Sequence, residues 1–270
     1  MESLCGLLCR ASGGRVITSE KGYYGWDSPC SAWYSRYNFD NVTPVLCGSA
    51  IGEIRQNHVQ GKPIFIYYTE EALAQDLSPV LASEGFHCMS VQTGMACDIA
   101  GEGTNSVTAA NAQRAGSAAA KTQDAGDATA DTKGAVDAAD GSIRIIDAAE
   151  IEAWSAVNAA AFGKPDEAGA FAVLYGTREC DFYAYMIDGK ITATAMLHKD
   201  PKNASIHEVS TLPEFQGRGI GSAMVARILS DARACGLGLI TLQASQAGAG
   251  LYEKAGFKRL SQIKTWVSFQ

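Results

Sequence analysis

The run Gln216-Gly217-Arg218-Gly219-Ile220-Gly221-Ser222 sets three glycines at alternate positions just before a stretch with helical spacing. A turn stripped of side chains at the start of a helix can cradle a phosphate. Several backbone N–H groups there lack partners, and the helix dipole adds an effective charge of roughly +0.5. A tight chain reversal is the competing reading. The Gly-Lys-Ser/Thr of a P-loop is missing, and the dinucleotide pattern Gly-x-Gly-x-x-Gly fails because Ser222 and Met224 stand where its last glycine belongs. Two more residues could move protons. Tyr252 lies in "AGAGLYEKAG"; its phenol, of pKa about 10, is protonated at neutral pH, although a lone tyrosine on a short helix ordinarily packs. Glu208 lies in "ASIHEVSTL", the run leading to the glycines, and a carboxylate there can accept a proton. Strand alternation would send its neighbour His207 to the opposite sheet face.

The elements that must position these residues are well punctuated. "SIRIID" reads as a strand and "AAEIEAWSAVNAAAF" as a helix through Ile151, Trp154, Val157 and Ala161. "DFYAYMIDGKITATAMLH" is two alternating runs about Asp188-Gly189, a hairpin signal. "ASIHEVSTL" is a strand, Ile220, Met224 and Ile228 mark one stripe of a helix that stops at Gly236, "LITLQAS" is a strand, and "KRLSQIKTWVSF" a final extended stretch. This order predicts an α/β protein (α+β, with a mixed sheet) whose helices pack against the sheet.

At 270 residues the chain suits two domains. Residues 99–142 lack aromatics and almost all large aliphatics, so they read as an Ala/Gly/Thr/Asp-rich flexible linker between 1–98 and 143–270. The net charge of −7 argues against a nucleic-acid partner, and 143–270 is balanced, with 13 acidic and 13 basic residues. No run approaches the roughly 20 apolar residues of a membrane helix. Eight scattered cysteines without a C-x-x-C pair, and no signal-peptide pattern, suggest reduced thiols and a cytoplasmic protein. The four dispersed histidines suggest no metal.

The pattern Gln216-x-x-Gly219-x-Gly221 after a strand, followed by "LQASQAGAGLYEKAGF", resembles the two motifs of the GNAT N-acyltransferase superfamily over residues 143–270. The resemblance implies an N-acetyltransferase with acetyl-CoA as acyl donor and no metal. Backbone groups from Gln216, Gly217, Arg218, Gly219, Ile220, Gly221 and Ser222 would hold the pyrophosphate. Val209, Ser210 and Thr211 would lie on a bulged strand that frees main-chain groups for the pantetheine arm. Tyr252 would protonate the departing CoA thiolate. Ser245 stands where the family often has an asparagine that touches the donor. An alkylamine is about a thousandth neutral at pH 7, equivalent to roughly 4 kcal/mol, so a base is needed, and Glu208 is the candidate. The acceptor, a small-molecule amine or a protein N-terminus, stays open, as does a homodimer. A non-catalytic acyl-CoA-binding or regulatory module on the same fold is the alternative.

In residues 1–98, "PIFIYY" reads as a strand, "TEEALAQDLSPVLASEG" as a helix that Thr69 could cap, and "FHCMSVQTGMACDI" as extended. "LASEGF" echoes "YEKAGF", with Leu81 where Tyr252 sits, which suggests a degenerate second copy of the fold or an unrelated α/β domain. The aromatic-rich "KGYYGWDSPCSAWYSRY" reads as core or interface, or as the lining of an acceptor pocket between the domains.

Overall fold

The hairpin signal at Asp188-Gly189 is realised as β7 (Cys180–Ile187) and β8 (Lys190–His198), with φ of 49° and 73° at the two turn residues, the positive pair that a two-residue hairpin turn requires. The computed structural model describes residues 4–69, 76–100, 141–202 and 204–269. The first stretch forms α1 (Leu4–Ala11), β1 (Arg15–Ser19), β2 (Tyr23–Ser28), β3 (Ser31–Phe39), α2 (Pro44–Asn57), β4 (Ile64–Thr69), α3 (Ser78–Ser83) and β5 (His87–Asp98). The second begins with β6 (Ser142–Ile145), a 3-10 turn, α4 (Ile151–Phe162) and α5 (Ala168–Thr177), which precede the hairpin. After it come β9 (Ser205–Thr211), a 3-10 turn at Pro213–Phe215, α6 (Ile220–Ala234), β10 (Leu239–Ala244), α7 (Ala249–Lys254) and β11 (Lys258–Ser268). The expected linker falls almost wholly on 101–140, outside the described residues, and so does 70–75 of the helix expected before β5.

All eleven strands join one mixed sheet, ordered β1-β2-β3-β4-β11-β5-β10-β9-β8-β7-β6. The succession β-β-β-α-β-α-β occurs twice along the chain, from β1 to β5 and from β7 to β11. In both, the third and fourth strands are parallel neighbours. The two stretches interleave: β5 pairs antiparallel with both β10 and β11, and β11 lies between β4 and β5.

The apolar cores follow the same interleaving. Met95 and Cys97 of β5 are buried with Ile220, Met224 and Ile228 of α6. Trp266 of β11 is buried with Ile51, Ile54 and Phe86. Helix α1 buries Leu4, Leu7 and Leu8 against Trp154, Phe171 and Phe182. Trp154 stacks edge-on with both phenylalanines at 5.0 Å and donates from Nε1 to Tyr183 O at 2.8 Å, so its ring is dry and its one polar group is satisfied. This block holds the rear of β7 and β8, the strands against which β9 is set.

Candidate active site

Strands β9 and β10 are parallel but are paired only at Ser205 and Thr241, so they part beyond that point. A cleft of about 890 Å³ lies there, and its lining runs from Gly217, Gly219 and Gly221 past Tyr252 and Glu208 to Tyr34 and Arg36 of the first stretch.

The glycine turn owes its shape to three different requirements. Gly217 has φ 76° and Gly219, the N-cap of α6, has φ 74°, the left-handed region that costs an L residue roughly 1–2 kcal/mol. A Cβ at either position would meet nothing within 4 Å, so the space over both is open. Gly221 differs: a Cβ there would come within 2.9 Å of Leu251 Cδ1. It is small because the first turn of α6 packs on α7, the helix that carries Tyr252. Gln216 straps the turn to its strand, donating from Nε2 to Thr211 O at 3.0 Å. Arg218 points elsewhere. Its guanidinium donates to Glu214 O at 2.9 Å and lies 5.1 Å over Phe215, and the residue is outside the cleft lining.

The strand before the turn carries a bulge. Thr194 pairs with Ser210 and Met196 with His207, so Glu208 and Val209 together face Ala195. Glu208 has φ 55°, a conformation that costs a non-glycine residue on the order of 1–3 kcal/mol. Its displaced carbonyl is caught from behind by Thr194 Oγ1 at 3.0 Å and Asn158 Nδ2 at 3.3 Å. Ser210 Oγ joins Thr194 Oγ1 at 2.8 Å. Because of the bulge, alternation fails at this point: His207 lines the cleft together with Glu208, Val209, Ser210 and Thr211, and is not sent to the other face. Burial, with His198 and Arg36 nearby, pulls the His207 imidazole down to about 3, so it is neutral at ordinary pH.

Both carboxylate oxygens of Glu208 are engaged. Tyr34 Oη donates to Oε1 at 2.6 Å, and Lys164 Nζ lies 2.7 Å from Oε2 with the two side chains only 8 % and 11 % exposed. Burial, with the Glu208 charge next to it, holds the Tyr34 phenol well above its ordinary value, so it remains a donor. A carboxylate has about four lone-pair sites, which leaves two for a further partner.

Tyr252 packs edge-on against Phe257 with ring centroids 5.9 Å apart. Its hydroxyl has no hydrogen-bond partner among the described residues, and burial pushes its pKa up to about 12. Ser245 Oγ accepts the Gly248 N–H at 3.1 Å, so its own hydroxyl hydrogen is still available to the cleft. Among the described residues no group of three His, Cys, Asp or Glu side chains could hold a metal ion, and no helix is long and apolar enough to cross a membrane.

The site thus gathers Glu208, Val209, Ser210, Thr211, Gln216, Gly217, Gly219, Ile220, Gly221, Ser222, Ser245 and Tyr252 on one cleft and leaves Arg218 at its rim. Sequence reasoning gave no role to Lys164 and met Tyr34 and Arg36 only as part of the aromatic run. The aromatic run holding Tyr34 and Arg36 serves both of the roles open to it: Tyr23, Trp26 and Tyr37 are core, whereas Trp33, Tyr34 and Arg36 reach the cleft. Lys164 had no local signal, since a lysine after a helix is ordinarily solvated.

A bulged strand, a parallel neighbour diverging from it, and a left-handed glycine turn at a helix N-terminus thus border one cleft. Residues 151–257, less than half of the chain, match the acetyltransferase (GNAT) family. An uncharacterized N-acetyltransferase of Methanocaldococcus jannaschii is 31% identical over 67 residues, a match spanning 24% of this chain and 30% of that protein. In overall fold the chain is similar to a GCN5-related N-acetyltransferase from Kribbella flavida (TM-score 0.62, 17% identity, 97% of this chain and 91% of that one). It is also similar to a functionally unknown conserved protein from Staphylococcus epidermidis (TM-score 0.64, 12% identity, 96% and 95%). The mixed α/β fold expected from the sequence is the one observed.

Proposed function

We propose that the chain transfers an acetyl group from acetyl-CoA to a primary amine by direct attack. The observation that carries this reading is the shared cleft. The open-faced glycine turn, an unpartnered buried phenol and a bulge-mounted carboxylate all border it. The unobstructed backbone at Gly217 and Gly219 fits a pyrophosphate, and the roughly 890 Å³ of space suits a donor and an acceptor together. Ser245 can donate one hydrogen bond to the donor.

In the reaction the amine nitrogen bonds to the acetyl carbonyl carbon and the C–S bond breaks. Tyr252 gives its proton to the departing sulfur and is later reprotonated from solvent. The raised phenol keeps that proton until it is needed. Glu208 accepts the ammonium through its remaining lone pairs and relays the proton, directly or through water. With Lys164 on one of its oxygens and Tyr34 on the other, its larger contribution is to bind and orient the amine. The first stretch is read as a copy of the same unit that has lost the donor site: α2 starts at a Thr43 cap followed by Pro44, where α6 has its glycine turn. Eight cysteines with no disulfide among the described residues suit a reducing, cytoplasmic setting.

Calorimetric titration with acetyl-CoA, followed by a thiol-release assay over an amine library, tests this. One saturable site with turnover of some amine supports it. Binding without turnover of any amine would favour a non-catalytic acyl-CoA-binding module, and no binding would remove the reading altogether.

A further inference from the structure

The acceptor side of the cleft contains a cation with no counter-ion. Arg36, on β3, lines the cleft, and among the described residues no carboxylate lies within ion-pair distance of it. Its neighbours are aromatic: the guanidinium carbon is 4.5 Å from the Tyr67 ring centroid and 6.0 Å from that of Trp26. Arg36 Nε is buried without a hydrogen-bond partner. The other nearby cation, Lys164, is neutralised by Glu208 at 2.7 Å. Glu167 also lies near Lys164, so Arg36 is the cation of this side that lacks a carboxylate partner among the described residues. Burying an unpaired charge is costly, and a planar guanidinium fixed over a ring is suited to gripping two oxygens at once.

The position of Arg36 separates this charge from the phosphate cradle. Tyr34, two residues before Arg36 on β3, reaches Glu208, whereas the cradle lies beyond Thr211 at the far end of the same strand. We infer that the acceptor is an amine that also bears an oxyanion, a carboxylate or a phosphate, which Arg36 holds while Glu208 meets the amino group. The inference rests on the acyl-transfer reading for the role of Glu208, but the Arg36 subsite is a binding site in its own right.

The test is calorimetric titration of the full chain, with and without CoA, using matched series: amino acids, their carboxamides, their decarboxylated amines, and aminoalkyl phosphates. The expected result is that at least one oxyanion-bearing amine binds about 10- to 100-fold more tightly than its neutral counterpart. Preference between the carboxylate and phosphate series identifies the source of the oxyanion. Arg36→Gln should remove that difference by weakening only the oxyanion series, with Arg36→Lys recovering part of it and acetyl-CoA affinity unchanged. Equal binding of acid and amide, or no binding by any series, overturns the inference, and both are read on the unaltered protein even if a variant fails to fold. An Arg36→Gln variant that loses acetyl-CoA instead would also overturn it by placing Arg36 on the donor side. Failure of acetyl-CoA alone to bind would defeat the acyl-transfer reading while leaving the acid–amide comparison intact.

Discussion

Tyr34 Oη donates a 2.6 Å hydrogen bond to Oε1 of Glu208, a residue 174 positions further along the chain. A side chain from the first stretch thereby holds the carboxylate that the bulge in β9 presents to the cleft, and Lys164 holds its other oxygen. The site is completed across the two stretches.

That relationship sets the first expectation. Lys164→Met leaves a buried carboxylate without its counter-charge and should destabilise the fold by about 3–5 kcal/mol. Tyr34→Phe removes one charge-assisted hydrogen bond, worth about 1.5–3 kcal/mol. Urea unfolding measures both, and a Lys164→Met midpoint equal to that of the parent would mean the pair is solvated after all.

Tyr252→Phe should lower kcat by about 10- to 1000-fold while leaving acetyl-CoA affinity almost unchanged, as expected for loss of a proton donor. Turnover at the parental rate would exclude the role given to the phenol. Its raised pKa also has a stability signature. The neutral form is favoured by the fold, so this contribution is complete below about pH 10 and is lost as pH rises towards about 12. The phenylalanine variant should lack that alkaline loss.

The glycines should separate by mechanism. Gly219→Ala has room for its methyl but must hold φ 74°, at a cost of about 1–2 kcal/mol, and it should also weaken acetyl-CoA binding. Gly221→Val strikes Leu251, at about 1–3 kcal/mol, and shortening Leu251 to Ala should restore part of the loss. Thermal melts of the double variant decide this: no recovery means that Leu251 is not the obstacle.

For His207 the sign is opposite to that of Tyr252. An unfolded imidazole titrates near 6.5, and the folded one near 3, so the contribution is present above about pH 6.5 and drains away as pH falls towards 3. His207→Gln should narrow the drop in melting temperature between pH 7 and pH 4 by a few degrees. An identical drop in both proteins would show that His207 stays hydrated.

Residues 143–270 expressed alone would lack β5, which lies between β10 and β11, and would leave a hydrogen-bonding edge of each of those strands open. We expect that fragment to aggregate or self-associate on gel filtration. A monomer with a cooperative melt would show that the interleaving is dispensable.

Much of this was legible in the sequence because it is local. The Asp188-Gly189 turn, the stripe on α6, and the glycines ahead of it depend on backbone propensities and spacings over a few residues, and the chemistry of Tyr252 follows from its type and motif. Tyr34, Arg36 and Lys164 were not legible, since nothing near them in the chain distinguishes a cleft-lining side chain from a core aromatic or a solvated cation. The bulge at Glu208 also defeated alternation: its φ of 55° is held by Thr194 and Asn158, residues brought up from β8 and α4. The sequence alone determined the elements, their order and the donor-side turn, for these are written in short-range patterns. Only the tertiary structure decided that β5 and β11 exchange places between the two stretches and that Arg36 is left without a counter-ion, because strand pairing and charge compensation depend on which distant residues the fold brings together.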